Sequence, residues 1–159
     1  MMEKEIYSPE YQLDQIDEQI LAMLVENAKL GSKEIAAQVG LTITPTYERI
    51  RRLEKRGFIK SYKAVLDKKK LGKNLTVLCN VQLKSHAAEL LESFESQVIE
   101  LKEVTNCYHI AGNFDYLLII EIEDMDVYAQ FLKGKLASIP HIATVQSSFV
   151  MRALKETGF

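Results

Sequence analysis

The sequence has few of the residues that mark secreted, membrane or low-complexity proteins. Its 159 residues include only two cysteines, Cys79 and Cys107, with seven glycines and three prolines. Two cysteines are too few for a disulfide scaffold and fit a reducing compartment. No apolar run approaches the roughly 18 residues of a membrane helix, and residues 1–5 are charged rather than signal-peptide-like. These absences predict a cytoplasmic protein with no membrane partner.

Positive charge is concentrated in one segment, although the formal net charge of the chain is −2. The segment from Arg49 to Lys70 contains ten Lys and Arg residues against Glu54 and Asp67, a local charge of +8. Such a patch suits a polyanion such as double-stranded DNA. Taken alone, such a run is more often a solvated surface, and the surrounding sequence is needed to favour DNA binding.

The first part of the chain has the apolar spacing of three helices. Asp14 is the predicted N-cap of the first helix, and Ser32 is that of a short second helix ended by Gly40. The third helix is predicted to begin at Thr44-Pro45 and to end near Arg56. Two short helices joined by a tight turn, the second of them basic, are typical of a helix-turn-helix DNA-binding domain. We assign this domain to residues 1–60.

The third helix is predicted to have one apolar and one polar face. At about 100° per residue, Tyr47, Ile50 and Leu53 share the side that would pack on the first two helices. The other side would enter a major groove, where Arg and Thr contact bases or phosphates. The predicted DNA-binding residues are Thr44, Pro45, Thr46, Glu48, Arg49, Arg51, Arg52 and Arg56.

Glu48 is unusual on this face because a carboxylate is repelled by DNA. It has two interpretations: it accepts a hydrogen bond from a cytosine amino group, or it holds Arg52 one helical turn later. We favour the pairing with Arg52.

After the three helices, the spacing of apolar residues changes from a helical pattern to the alternation of a strand. Phe58 to Leu66 alternates loosely and predicts an extended strand, and residues 61–72 are assigned as strand and linker. Residues 73–159 then show strand and helix patterns in the order β-α-β-β-α-β, which is the ferredoxin-like arrangement. The predicted fold class is therefore α+β, with a helix-turn-helix domain followed by a ferredoxin-like domain.

Catalytic and metal-binding patterns are weak. Cys107 and His109 share a strand face and become a candidate metal or nucleophilic set only with His86 or His141. There is no Cys-x-x-Cys, phosphate loop or nucleophile elbow. We therefore predict that the protein is not an enzyme and has no catalytic residues, metal or cofactor.

Several stretches of the sequence resemble the Lrp/AsnC family of transcriptional regulators, most closely its leucine-responsive branch. One departure is Thr42, where the family usually has Ser, which keeps the hydroxyl. The resemblance extends over nearly the whole chain and rests on Leu13, Asp14, Asp17, Ile20, Leu21, Ile35-Ala36, Val39 to Thr42, Glu48 to Glu54, Gly57 to Ile59 and Gly112 to Leu118.

The resemblance implies that the second domain is a RAM (regulation of amino-acid metabolism) module. Such modules dimerise through their sheets and bind free amino acids between dimers, so a homodimer assembling into an octamer is expected. The predicted strand near Ile59 to Leu66 would tie the helical domains of a dimer together. The resemblance also implies the effector-binding residues Gly112, Asn113, Phe114, Asp115, Tyr116, Met125, Ser147 and Ser148.

The chemistry of the turn at residues 112–116 suits an amino acid. The backbone N–H groups of Gly112 and Asn113 could donate to the carboxylate of the ligand, and Asp115 could accept from its ammonium group. Phe114 or Tyr116 could form an aromatic wall of the pocket. The alternative is a plain hairpin turn in which Asp115 bonds the N–H groups of the turn itself.

The predicted function is DNA-binding transcriptional regulation in which an amino-acid effector modulates DNA binding or assembly. The alternative is an architectural, nucleoid-associated protein with little effector response. A footprint confined to particular promoters, as opposed to uniform coating, separates the two.

Overall fold

The computed structural model describes residues 11–155, and residues 1–5, used above in the signal-peptide argument, lie outside this range. The chain divides into two compact units between Ala64 and Val65, inside the segment assigned above as strand and linker. No helix within the described range is long and apolar enough to cross a membrane.

The first unit contains three helices: α1 (Gln15–Glu26), α2 (Ser32–Val39) and α3 (Ile43–Lys55). The predicted cap at Asp14 is confirmed, since its carboxylate accepts from the N–H of Asp17 at 2.8 Å. Gly40 ends α2 at φ +71°, a left-handed conformation that favours glycine. Local capping chemistry thus places the start of α1 and the end of α2 where the sequence predicts them.

Two helix starts differ from the prediction. Gly31, not Ser32, is the N-cap of α2, and its N–H donates to the Glu34 carboxylate at 2.8 Å. Helix α3 begins one residue earlier than Thr44, with Thr42 as N-cap. Pro45 lies inside the first turn, where its missing N–H leaves no helical hydrogen bond unmade.

The inward face of α3 is also rotated from the predicted one. Ile50 and Leu53 do enter the core with Ile20 and Ile35, but Tyr47 is 51% exposed. A fourth position, Thr46, is fully buried in its place. Its hydroxyl donates to the Thr42 carbonyl at 3.0 Å, which satisfies the polar group inside the core.

The predicted strand at Phe58 to Leu66 is wrong for the described chain, because residues 60–66 form neither helix nor strand. A strand needs a neighbouring strand for its hydrogen bonds, and the described residues supply none beside this segment. The segment is exposed, including Val65 and Leu66, and is followed by a 3₁₀ turn at Lys69–Leu71.

The second unit has the predicted β-α-β-β-α-β order. Its elements are β1 (Leu75–Leu83), α4 (Ala88–Val98), β2 (Val104–His109), β3 (Tyr116–Ile122), α5 (Met125–Gly134) and β4 (Ile142–Phe149). The four strands form one antiparallel sheet in the order β2-β3-β1-β4. The ferredoxin-like prediction is confirmed.

The two faces of this sheet differ. Alternate residues such as Val77, Val81 and Leu118 are buried under α4 and α5, together with Phe94 and Phe131. The opposite face presents half-buried apolar residues, among them Leu78, Leu117 and Ile119. Because both helices of the described unit pack on one side, the other side is an open, partly apolar sheet surface.

Candidate DNA-binding surface and effector site

The outward face of α3 carries a continuous polar stripe. Thr44, Glu48, Arg51 and Lys55 recur at intervals of four, three and four residues, which places them on one side of a helix, and all four are exposed. Tyr47 borders the stripe, with the guanidinium of Arg51 6.0 Å from its ring centroid. The stripe offers a hydroxyl, a carboxylate and two cations, the groups that contact base edges and phosphates.

Three of the predicted DNA-binding residues, Pro45, Thr46 and Arg49, are less exposed than expected. Thr46 is fully buried, so its side chain is unavailable to DNA. Pro45 is half-buried in the first turn of the helix. The prediction took Tyr47 rather than Thr46 as the inward residue, which shifted the assumed outer face around the helix.

Arg49 links α3 to α1. Its Nη1 donates to Oδ2 of Asp14 at 2.6 Å and to Oδ1 of Asp17 at 2.7 Å. Asp17 is only 1% exposed and the Arg49 side chain 22% exposed. The bonds to Asp14 and Asp17 raise the pKa of Arg49, while the N–H of Asp17 and the Arg49 guanidinium lower the pKa of Asp14. This geometry gives Arg49 a structural role, and its contact with DNA stays a prediction.

The favoured pairing of Glu48 with Arg52 is wrong. Nη2 of Arg52 lies 3.7 Å from Oδ1 of Asp17, and Glu48 has no ion-pair partner within residues 11–155. Arg52 and Arg56 both lie against the ring of Tyr11, at the flank of the polar stripe. The Glu48 carboxylate is therefore free to accept a hydrogen bond from outside the chain.

The turn at residues 112–116 is exposed at Gly112 and Asn113, but Asp115 is engaged by its own chain. Oδ2 of Asp115 accepts from the N–H of Leu83 at 2.7 Å, and Oδ1 lies 2.8 Å from Nε2 of His86. These bonds tie the turn to the end of β1 and not to the N–H groups of the turn. An incoming ammonium group would share this carboxylate with His86.

Of the two aromatic residues proposed as a wall, only Phe114 is available. Phe114 is half-buried, whereas Tyr116 is buried and donates its hydroxyl to Glu95 at 2.8 Å. Burial raises the pKa of Tyr116, and the ring of His109 stacks on it at 4.7 Å between centroids. Tyr116 therefore belongs to the core beneath α4.

The remaining predicted effector residues lie away from the turn. Tyr116–Ile122 spans seven residues, so its ends are separated by about 20 Å at roughly 3.3 Å per residue, and Met125 follows the far end. Adjacent residues on β4 point to opposite faces. Ser147 lies 2.5 Å from the Tyr128 hydroxyl on the helix side, while Ser148 lies on the open face. One chain does not bring the predicted effector residues together.

The Cys107 and His109 set has no metal-binding geometry in the described part of the chain. No three His, Cys, Asp or Glu side chains within residues 11–155 are arranged to hold a metal ion. Burial raises the pKa of Cys107, which keeps the thiol protonated and weakly nucleophilic.

Three residues with prominent contacts at these sites were missed by sequence reasoning: Tyr11, Asp17 and His86. In the sequence Asp17 is notable only as one of the residues that resemble the family, although it pairs with Arg49, 32 positions away. A contact between residues so far apart in the sequence produces no pattern in the sequence around either of them. His86 was considered only as a possible partner of Cys107 and His109, whereas the structure places its Nε2 2.8 Å from Asp115.

Comparison with known proteins matches both halves of the chain. A family model described as winged helix-turn-helix DNA-binding matches residues 13–60, and one described as the Lrp/AsnC ligand binding domain matches residues 76–158. The Bkd operon transcriptional regulator of Pseudomonas aeruginosa is 34% identical, covering 90% of this chain and 94% of that protein. The leucine-responsive regulatory protein of Escherichia coli is 35% identical, with 94% and 92% coverage.

Two solved structures show the same architecture. A transcriptional regulator from Neisseria meningitidis in complex with L-Met is 32% identical at a TM-score of 0.88, covering 92% of this chain and 94% of that one. An AsnC family transcriptional regulator from Agrobacterium tumefaciens is 36% identical at a TM-score of 0.86, with 91% and 94% coverage.

Proposed function

Because the chain belongs to the Lrp/AsnC family of DNA-binding transcriptional regulators, we propose that its binding to DNA is modulated by a free amino acid. The observation that carries the proposal is the exposed polar stripe on α3 in the same chain as a ligand-binding domain. A similar regulator was solved with L-Met, which supports an amino acid as the class of effector. Such a regulator acts where chromosomal DNA is, so we place it in the cytoplasm.

The DNA-binding residues of the proposal follow from exposure. Arg51, near the centre of the stripe, would contact a guanine edge, and Lys55 would contact phosphate. Glu48, which has no partner in the described chain, would accept from a cytosine amino group. Thr44 begins the stripe at the N-terminal end of α3. Arg52 and Arg56 would bind phosphates at the flank.

The effector site would be completed by a second copy of the chain. Within one chain, Met125 and Ser148 lie too far from the exposed turn at residues 112–113 to share one small ligand. The open, partly apolar sheet face offers a surface for a homodimer, and an octamer of four dimers is the assembly that the family resemblance implies. In this arrangement the turn of one copy would meet residues of another.

A thermal-shift screen against the standard amino acids tests the effector proposal. A ligand present at about 100 times its Kd stabilises the folded state by about 2.7 kcal/mol. The amino acid that raises Tm is then added to a titration of promoter DNA. A change in DNA affinity or stoichiometry supports the proposal, whereas a stabilising amino acid that leaves both unchanged contradicts it.

The bonds of Asp115 to Leu83 and His86 favour one further candidate function. A turn whose carboxylate is already satisfied would be structural, and the protein would be an architectural DNA-binding protein with little effector response. DNase footprinting across a genomic fragment separates the two proposals. Protection of discrete sites supports the effector-modulated regulator, and uniform protection supports the architectural protein.

A further inference from the structure

Tyr11 lies just before α1 and outside the matched helix-turn-helix region, yet it contacts two arginines of α3. The centre of its ring lies 4.9 Å from Cζ of Arg52 and 4.4 Å from Cζ of Arg56. Its hydroxyl donates to Oδ2 of Asp17, and its ring lies 5.9 Å from that of Phe58. Tyr11 is therefore fixed at both ends while its faces meet the guanidinium groups.

These contacts determine where the two arginines lie. A guanidinium within about 6 Å of an aromatic ring centroid is attracted by the π system. Arg52 and Arg56 are four residues apart and lie on one side of α3, so a single ring holds both. The Arg52 side chain remains 42% exposed, and Arg56 is also exposed. The ring therefore restricts the two cations without covering them.

We propose that Tyr11 is a positioning residue for DNA binding, which holds Arg52 and Arg56 at the flank of α3 for contact with DNA phosphates. The inference rests on the DNA-binding face proposed above. Long arginine side chains lose conformational entropy when they bind a phosphate. Because the ring already restricts them in the free protein, the entropy lost on binding is smaller. Removing the ring releases Arg56 from this contact and leaves Arg52 with only its 3.7 Å contact to Asp17, which weakens their binding to phosphate, although Tyr11 itself need not touch DNA.

Binding to a mixed-sequence DNA duplex across a salt series provides the test, because phosphate binding does not depend on an operator sequence. Tyr11→Leu removes the π system, whereas the matched control Tyr11→Phe keeps the ring and removes only the bond to Asp17. We expect Tyr11→Leu to lower affinity by about tenfold. The salt slope should fall by about 0.9 for each phosphate that the variant no longer neutralises. Tyr11→Phe should keep the wild-type slope.

A double-mutant cycle separates positioning from a general structural role. In a chain that already carries Arg52→Ala and Arg56→Ala, Tyr11→Leu should cause no further decrease in DNA affinity. Melting curves fix an assay temperature at which every variant is folded, and Tyr11→Gln provides a second ring-free variant if the Leu variant melts too low. An unchanged salt slope in the ring-free variant, or an equal decrease in the arginine-free background, overturns the proposal.

Discussion

Replacing Arg49 with alanine should destabilise the helical unit far more than any other arginine substitution in α3. The change removes both short bonds to Asp14 and Asp17. Asp17 is 1% exposed, so its carboxylate would lose its closest cation while remaining out of water. Removing one partner of a fully buried pair costs about 3–5 kcal/mol.

The expected cost for Arg49→Ala is smaller than that range. The Arg49 side chain is 22% exposed, and Asp17 keeps the hydrogen bond from Tyr11 and a second cation, Arg52, at 3.7 Å. We therefore expect a decrease of about 2 kcal/mol in the free energy of unfolding. For a unit of this size, that lowers Tm by about 10 °C if the unit melts on its own.

Urea and thermal unfolding followed by far-UV circular dichroism measure this change. Arg51→Ala is the matched control, because it removes an exposed arginine two positions away and should stay within about 0.5 kcal/mol of wild type. The reasoning is refuted if Arg49→Ala melts like wild type and yet loses as much DNA affinity as Arg51→Ala. In that case Arg49 binds DNA, as its position in the sequence first suggested.

Three further predictions concern Asp14, Asp115 and the salt response. The N–H of Asp17 and the guanidinium of Arg49 lower the pKa of Asp14. The stabilising contribution of Asp14 is therefore present above the ordinary Asp pKa of about 3.9 and is lost as pH falls below it. Asp14→Asn should flatten the acid branch of a Tm-against-pH curve. Asp115→Ala should lower the Tm of the second unit, because it leaves the N–H of Leu83 unbonded, and differential scanning calorimetry should detect a destabilisation of about 1–3 kcal/mol. DNA affinity should fall steeply with salt despite the acidic net charge, and a flat salt profile in fluorescence anisotropy would show that the basic segment does not contact DNA.

The elements of the fold were predictable where local chemistry determines them. Apolar spacing and the Asp14 cap define α1, and the alternation from Leu75 to Leu83 defines β1. The strand proposed at Phe58 to Leu66 failed because alternation alone does not supply a hydrogen-bonding neighbour.

The DNA-binding face was predictable only in part, for reasons of packing. Hydrophobicity favours Tyr47 over Thr46 as the inward residue, but Thr46 is small and its hydroxyl is satisfied by the Thr42 carbonyl. Tyr47 in turn is amphipathic and tolerates exposure. The roles of Arg49 and Arg52 depend on α1, and no local pattern reveals a partner more than thirty residues away.

The effector site was predictable as a turn but not as a complete pocket. The turn at residues 112–116 has the composition expected of a ligand loop, and the structure exposes Gly112 and Asn113. The bond from Leu83 to Asp115 could be predicted only from the alignment of the strands. The placement of Ser147 and Ser148 on opposite faces, by contrast, follows from strand alternation.

The most direct test of the central claim, that the outward stripe of α3 binds DNA, is a titration of promoter DNA with Arg51→Ala and Lys84→Ala. Arg51 lies in the stripe, whereas Lys84 follows β1 in the other unit. The account predicts that Arg51→Ala weakens binding by about 1–3 kcal/mol, roughly 5- to 150-fold, and that Lys84→Ala matches wild type. Superimposable curves for the two variants would contradict it.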